Sequence, residues 1–124
     1  MNELQQDDKY YTYALRNMSP ADRIGFIDYV LEDILESKNI GLIIIDGVAD
    51  LVTDVNNLEQ CSLVVQKLMS WTDLYKCHIL TIIHSNYGSD KPTGHLGSFL
   101  EKKAETQIKL ETNHVNKGWV TVEC

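Results

Sequence analysis

The sequence has no apolar run long enough to cross a membrane. Its longest apolar runs, such as residues 40–45, span only a few positions, whereas a membrane-spanning helix needs about 20 residues. No basic segment followed by an apolar one precedes them, so we expect no secretion signal. These absences predict a protein that has no membrane partner.

Cysteine is also scarce, and its pattern matches no zinc site. Cys61, Cys77 and Cys124 are odd in number and widely spaced, and zinc ligands follow closer, paired spacings. We interpret all three as reduced thiols, which predicts a cytoplasmic location.

Positive charge is in deficit. The chain has 11 lysine and arginine residues against 18 aspartate and glutamate residues, for a net charge of −7. This balance argues against a protein that binds nucleic acid through its overall field. It leaves room for a local basic patch, because Lys102 and Lys103 are adjacent and Lys91 and Lys109 lie nearby in the sequence. The alternative is that these lysines are solvated surface groups.

What is present fits one globular domain. The 124 residues are 44% hydrophobic and 23% charged, as in a single folded domain, and we expect residues 1–9 to be flexible. Periodicity and turn residues predict strands at residues 10–15, 40–45, 78–83, 106–111 and 119–123, helices at 19–37, 58–75 and 99–104, a long loop at 87–97 and a hairpin turn at 113–118.

The predicted strand at residues 40–45 has no polar alternation. We therefore expect both of its faces to be buried, as in the central strand of a parallel sheet. The alternation of strands and helices predicts an α/β fold. Its sheet would be open and mostly parallel, with helices on both faces and a C-terminal antiparallel hairpin.

Polar side chains follow two strands of this predicted sheet. Asp46 and Asp50 follow the first strand, and His84, Ser85 and Asn86 follow the second. Ligands bind at the carboxyl ends of parallel strands, so we expect Asp46 and His84 to approach each other at one edge. The alternative is that Asp46 is the turn residue of the Asp-Gly pair that ends the strand and that His84 has a structural role. From the residues alone, the pattern predicts a polar site for an anion or a metal.

Three segments, taken in order, resemble parts of a RecA-like ATPase. Residues 41–47 (GLIIIDG) look like a Walker B strand, and residues 78–86 (HILTIIHSN) look like the sensor strand that follows it. Residues 94–104 (GHLGSFLEKKA) are similar to the next segment. Together they resemble RecA-like P-loop ATPases of the hexameric-helicase branch, particularly RepA-type ATPases of plasmids and mobile elements. The resemblance spans about residues 11–111 and implies a three-layer RecA-like sheet.

The resemblance implies a nucleotide site. Asp46 corresponds to the Walker B acid that holds Mg²⁺ through water beside ATP. His84 corresponds to the sensor that responds to the γ-phosphate, so these two residues are the catalytic candidates. Asn86 is a further candidate for contact with the nucleotide or Mg²⁺.

The resemblance also implies a nucleic-acid partner, which would be DNA bound through a larger parent protein. The loop at residues 87–97 corresponds to the loop that faces DNA in the channel of a ring. Lys91 and His95 are therefore candidate DNA contacts. Lys102 and Lys103 are candidate contacts to phosphate, either from DNA or from the nucleotide of a neighbouring subunit.

One part of the family pattern is missing. The sequence has no G-x-x-x-x-G-K-[ST] run, whose amides and lysine hold the phosphates. We therefore expect this chain to bind Mg-ATP poorly or not at all. It would be either the C-terminal portion of a longer ATPase, with the P-loop upstream of Met1, or a degenerate homologue that keeps the scaffold.

The missing P-loop strand has a consequence for assembly. In RecA-like sheets this strand lies between the sensor strand and the strand after it. Without it, residues 78–83 and 106–111 must pair directly or leave open edges, and an open edge is a template for another chain. We expect self-association, as a dimer for this chain and as a ring for a parent protein.

Three functions are compatible with these patterns. The resemblance favours the C-terminal part of an ATP-driven, helicase-like protein in replication or mobilisation of a DNA element, with ATPase activity in the parent. A non-catalytic interaction module on a degenerate RecA-like scaffold is one alternative. The other is a small metal-dependent phosphoesterase in which Asp46, Asp50, His84 and His95 bind a divalent ion.

Overall fold

The chain is a mixed α/β protein with two separate two-stranded sheets. The computed structural model describes residues 9–34, 38–86, 88–89, 91–112 and 120–123. Its elements in chain order are α1 (Pro20–Tyr29), a π-helical turn (Val30–Ile34), β1 (Leu42–Asp46), a 3₁₀ helix (Val48–Leu51), α2 (Leu58–Tyr75), β2 (His78–Ile82), α3 (Gly94–Lys103), β3 (Lys109–Thr112) and β4 (Val120–Glu123). The predicted α/β class and the C-terminal antiparallel pair are confirmed. The hairpin turn predicted at 113–118 lies outside the described residues.

α1 begins where the sequence places a cap and a proline. Ser19 Oγ accepts a hydrogen bond from the Asp22 amide at 3.2 Å. Pro20 occupies the first helical turn, where its missing amide leaves no carbonyl unpaired. The helical path continues as a π-helical turn to Ile34, so the predicted helix is confirmed as far as that residue. Residues 35–37 lie outside the described part of the chain.

α2 supplies the largest share of the core. Asn57 caps it by accepting a hydrogen bond from the Gln60 amide at 3.0 Å. It ends at Lys76, whose φ of 51° lies in the left-handed region that stops a helix. Its buried side chains repeat at helical spacing and are Cys61, Val64, Val65, Leu68 and Trp71. The predicted helix is therefore confirmed with its bounds.

No helix in the described residues is long and apolar enough to cross a membrane.

β1 and β2 lie side by side and run parallel. Their register pairs Leu42 with His78 at one end and Asp46 with Ile82 at the other. Successive side chains of a strand point to opposite faces. One face packs on the core, where Ile45 is buried beside α1 and α2 residues.

The opposite face of this sheet is open within the described residues, and we call it the apolar sheet face. It consists of Leu42, Ile44, Leu80 and Ile82, whose exposed fractions are 55%, 59%, 45% and 41%. The expectation that both faces are buried under helices is therefore wrong for the described part of the chain. An apolar run shows that neither face is polar, but it does not supply the element that would cover the second face.

The two sheets share no strand. β2 pairs with β1, whereas β3 pairs with β4 in an antiparallel register that sets Lys109 opposite Glu123. Residues 78–83 and 106–111 were expected either to pair with each other or to leave open edges. Within the described residues they do not pair, and β1 and β2 each have one open edge.

Residues 10–15 are irregular rather than the predicted strand. The guanidinium group of Arg23 donates to the carbonyl of Leu15 at 3.0 Å and to that of Arg16 at 3.2 Å. It also donates to the carbonyl of Asp50. Arg23 thus binds the carbonyl at the C-terminal end of the segment, and the aromatic residues have no strand partner within the described residues, so their β-propensity alone does not form a strand.

α3 begins at Gly94, earlier than predicted, and so includes the end of the predicted loop. Gly94 has a φ of 68°, and a Cβ there would come within 2.7 Å of the Val55 carbonyl oxygen. A Cβ at Gly97 would come equally close to Pro92, at 2.7 Å. The Leu96 amide donates to the Val55 carbonyl at 3.0 Å. The approach at Gly94 sets the start of α3 against the loop that precedes α2, whereas the approach at Gly97 packs α3 on its own leading segment. Both depend on partners that the glycines alone do not reveal.

Candidate functional site

Asp46 and His84 lie at the same end of the parallel sheet. Asp46 is the last residue of β1 and stands opposite Ile82, the last residue of β2. His84 follows two residues later, so both residues lie at the carboxyl edge of the parallel pair. Their role as one site stays a prediction. Both side chains are exposed. Neither makes a hydrogen bond or an ion pair with any residue that the structure describes.

Asp46 lies at the end of the apolar sheet face. Leu42, Ile44 and Asp46 occupy every second position of β1, so the carboxylate of Asp46 extends from the same side of the sheet as the two apolar side chains. The chain then turns at Gly47 into the 3₁₀ helix, where Val48 is completely buried. The buried valine anchors the end of the strand and holds the aspartate at the sheet edge.

The segment after β2 folds back on itself. The His84 carbonyl accepts hydrogen bonds from the Thr93 amide at 3.1 Å and the Thr93 hydroxyl at 2.8 Å. The Asn86 amide donates to the Lys91 carbonyl at 2.9 Å, and Ser85 forms a bridge with Pro92. His84, Asn86 and Lys91 therefore belong to one compact turn. Tyr87 and Asp90 lie outside the described residues.

His95 does not belong to that turn. It lies in the first turn of α3, and its ring centroid is 6.5 Å from that of Phe99. No three His, Cys, Asp or Glu side chains of the described chain form a group that could hold a metal ion. The geometry gives no support to a metal centre built from Asp46, Asp50, His84 and His95.

Lys102 and Lys103 occupy the last turn of α3 and are exposed. They border a groove between α2 and α3 with a volume of about 420 Å³, which we call the α2–α3 groove. Its lining residues are Ser62, Val65, Gln66, Met69, Phe99, Lys102 and Lys103. Neither lysine has an ion-pair partner among the described residues. The two lysines thus lie on α3 at the groove, whereas Asp46 and His84 lie at the carboxyl edge of the sheet.

Sequence reasoning missed this groove and the apolar sheet face. Part of the groove has a signal in the sequence, because Ser62, Val65 and Met69 follow one another at helical spacing without a charge. That pattern identifies one helical wall. The second wall depends on where α3 begins, and there Gly94 and the Leu96 amide contact Val55, in the loop before α2.

Two cysteines lie apart from both regions. Cys61 and Cys77 are buried free thiols. Burial raises the pKa of both thiols, and the nearby Asp54 carboxylate raises that of Cys61 further. Both therefore stay protonated near neutral pH, which fits structural residues rather than nucleophiles or metal ligands. Cys124 lies outside the described residues.

Comparison of the chain with protein-family models, with curated proteins and with solved structures gave no match.

Proposed function

We propose that this chain carries the Walker B and sensor elements of a RecA-like ATPase that serves replication or mobilisation of a DNA element. The observation that supports the proposal best is the parallel pairing of β1 and β2, which brings Asp46 and His84 to one edge. A Walker B strand and its sensor strand are direct neighbours in that fold. Ligands of open parallel sheets bind at this edge.

The open parts of the sheet are consistent with the missing P-loop. Parallel sheets are normally covered on both faces, yet the apolar sheet face is open here. In a RecA-like sheet the P-loop strand would pair with the outer edge of β2, which has no partner within the described residues. Under the proposal, a further segment supplies that strand and the layer over the apolar sheet face, and completes a three-layer fold.

The residues at this edge fit a magnesium contact but not a complete nucleotide site. Asp46 presents an exposed carboxylate that has no partner within the described residues, and such an oxygen is a suitable acceptor for water bound to Mg²⁺. The sequence has no P-loop to hold the phosphates. In the complete site, Mg²⁺ would neutralise charge on the transferred phosphoryl group.

The residues at this edge and in the following turn have distinct roles under this proposal. Asp46 would hold Mg²⁺ through water, and His84 would respond to loss of the γ-phosphate. Because the His84 carbonyl binds Thr93, movement of His84 would pass directly to the turn that carries Asn86 and Lys91. That turn would report the nucleotide state to DNA.

The test begins with the size of the natural polypeptide, determined by immunoblot of source cells. A band much larger than 14.1 kDa supports the proposal, and the full-length product is then purified and assayed for ATP hydrolysis. We expect Asp46→Asn to abolish turnover, since an amide binds metal-bound water far more weakly than a carboxylate does. Asp50→Asn, a matched change on the adjacent 3₁₀ helix, should leave turnover unchanged. Full activity of the Asp46→Asn protein would remove the Walker B assignment.

An interaction module is the second candidate function. The apolar sheet face supports it, because exposed apolar side chains that lie together on one face mark a site of association. This candidate predicts that the source cells make a polypeptide of 14.1 kDa whose stability does not change when Mg-ATP is added. A rise in the unfolding temperature of this natural polypeptide on addition of Mg-ATP would exclude the interaction module.

A further inference from the structure

The α2–α3 groove combines an apolar floor with a basic rim. Val65 is buried at its base, while Met69 is 47% exposed and Phe99 is half-buried. Lys102 and Lys103 are the charged residues among those that line it. A ligand that fits must therefore offer apolar groups to the floor and negative charge to the rim.

The apolar strip continues beyond the groove along α2. Leu58, Ser62, Val65 and Met69 are spaced by four, three and four residues, so they share one helical face. Leu58 is 56% exposed although it lies on this face. At about 1.5 Å rise per residue, the strip is about 16 Å long, or three helical turns. This length suits a polypeptide segment better than a small molecule. The groove between two packed helices is also a surface on which a third helix packs.

The charge at the rim is opposite to that of the whole chain. The net charge is −7, yet neither lysine of the rim is neutralised by an acidic partner among the described residues. Long basic side chains on one wall of an apolar groove are placed to bind acidic residues along the flank of a docked apolar face. Nucleic acid would satisfy the lysines but would leave the floor of Val65 and Met69 without apolar contacts.

We propose that the α2–α3 groove docks an acidic amphipathic helix of a partner protein. Apolar residues spaced like those of the α2 strip would fill the floor, and Asp or Glu residues on the flanks would pair with Lys102 and Lys103. This mode of recognition is the insertion of a helix into a groove. None of these residues lies at the edge that carries Asp46, so the proposal can be tested without ATPase activity. It assigns Lys102 and Lys103 to an acidic partner rather than to phosphate.

The experiment uses a display library of 16-residue helical peptides. Each peptide has apolar residues at i, i+4, i+7 and i+11, and the remaining positions are random. Selection on the full chain should enrich Asp and Glu beside the apolar positions, although the net charge of the chain favours basic peptides. Selection on the double variant Lys102→Glu, Lys103→Glu should enrich Lys and Arg instead. For a selected acidic peptide, the double variant should weaken binding about tenfold.

A matched pair of variants tests the apolar floor. Met69→Asp places a carboxylate in the groove and should abolish binding of the selected peptide. Leu63→Asp makes the same change at an exposed position of α2 that does not line the groove, and it should leave binding unchanged. Both positions are exposed, so both variants should fold, and amide NMR spectra check that they do.

Binding is mapped by amide NMR shifts on the same 14.1 kDa chain. Shifts centred on Val65, Met69 and Phe99 support the proposal. The proposal is overturned if selection on the full chain enriches no acidic peptide beyond what selection on the Met69→Asp variant enriches. It is also overturned if the amide shifts centre on the apolar sheet face. It is also overturned if a DNA duplex binds through Lys102 and Lys103 and Met69→Asp has no effect, since the ligand is then nucleic acid.

Discussion

Asp28 joins α1 to α2 through two bonds made by one carboxylate. Its Oδ1 accepts a hydrogen bond from Trp71 Nε1 at 2.8 Å, and its Oδ2 lies 2.7 Å from Lys67 Nζ. Trp71 is only 2% exposed, so its indole N–H has no easy access to water. The hydrogen bond to the buried indole should therefore matter more than the ion pair, which is partly solvated.

Two substitutions separate these contributions at the residue scale. Asp28→Ala leaves the indole N–H without an acceptor and should lower the free energy of unfolding by about 1–3 kcal/mol. Asp28→Asn keeps an oxygen acceptor and loses only the ion pair, so its cost should be about 0.2–1 kcal/mol. Urea denaturation followed by circular dichroism measures both. Equal costs for the two variants would show that the ion pair with Lys67 dominates.

Some residue-scale features could be read directly from the sequence. The cap at Ser19 and the proline after it predict the start of α1, because both act on neighbouring backbone groups. The contact between Asp28 and Trp71 could not be predicted, since it joins residues 43 positions apart. The same limit applies to Arg23, whose bond to the Asp50 carbonyl crosses between elements.

At the scale of elements, β1 places neighbouring isoleucines in opposite environments. Ile45 faces the core and is 9% exposed, whereas Ile44 is 59% exposed on the apolar sheet face. Their residue type and strand are identical. A matched substitution at each position therefore measures how each face is covered in solution.

We expect the two threonine variants to differ clearly in stability. Ile45→Thr puts a hydroxyl in the core and removes apolar contact, which should cost about 1–3 kcal/mol. Ile44→Thr, which keeps a β-branched side chain on an open face, should change stability by no more than about 0.5 kcal/mol. The measurement is the urea midpoint and slope, at a concentration where light scattering shows a monomer. A comparable cost at Ile44 would mean that another element covers the apolar sheet face.

The strands and helices were largely predictable, but their surroundings were not. The apolar run predicts β1 and the helical period predicts α2, because both patterns are local. Coverage of the second face depends on an element that the described residues do not contain. The candidate edge with Asp46 and His84 was predictable because chain order places the ends of parallel strands together. The α2–α3 groove was not, because the start of α3 is held by contacts of Gly94 and Leu96 with Val55, about 40 positions earlier in the chain.

At the scale of the whole molecule, the described residues leave open strand edges and the apolar sheet face in one and the same sheet. An open edge offers unpaired amides and carbonyls to another chain. Four half-exposed aliphatic side chains bury less than the roughly 800 Å² per partner of a standard stable interface. A second copy that used only this face would therefore bind weakly. One that also paired an edge of β1 or β2 would gain backbone hydrogen bonds.

We therefore expect this chain alone to form a dimer at micromolar concentration, and light scattering measures its mass. Ile44 and Leu80 stand opposite each other in the register, so Ile44→Lys with Leu80→Lys places two charges at the centre of the apolar sheet face and should yield a monomer. The matched control is Leu63→Lys with Leu74→Lys, which adds the same charges at exposed positions of α2 and should remain dimeric. A monomeric parent chain would contradict this expectation. If the α2 control alone became monomeric, the dimer would form through α2 rather than through the sheet.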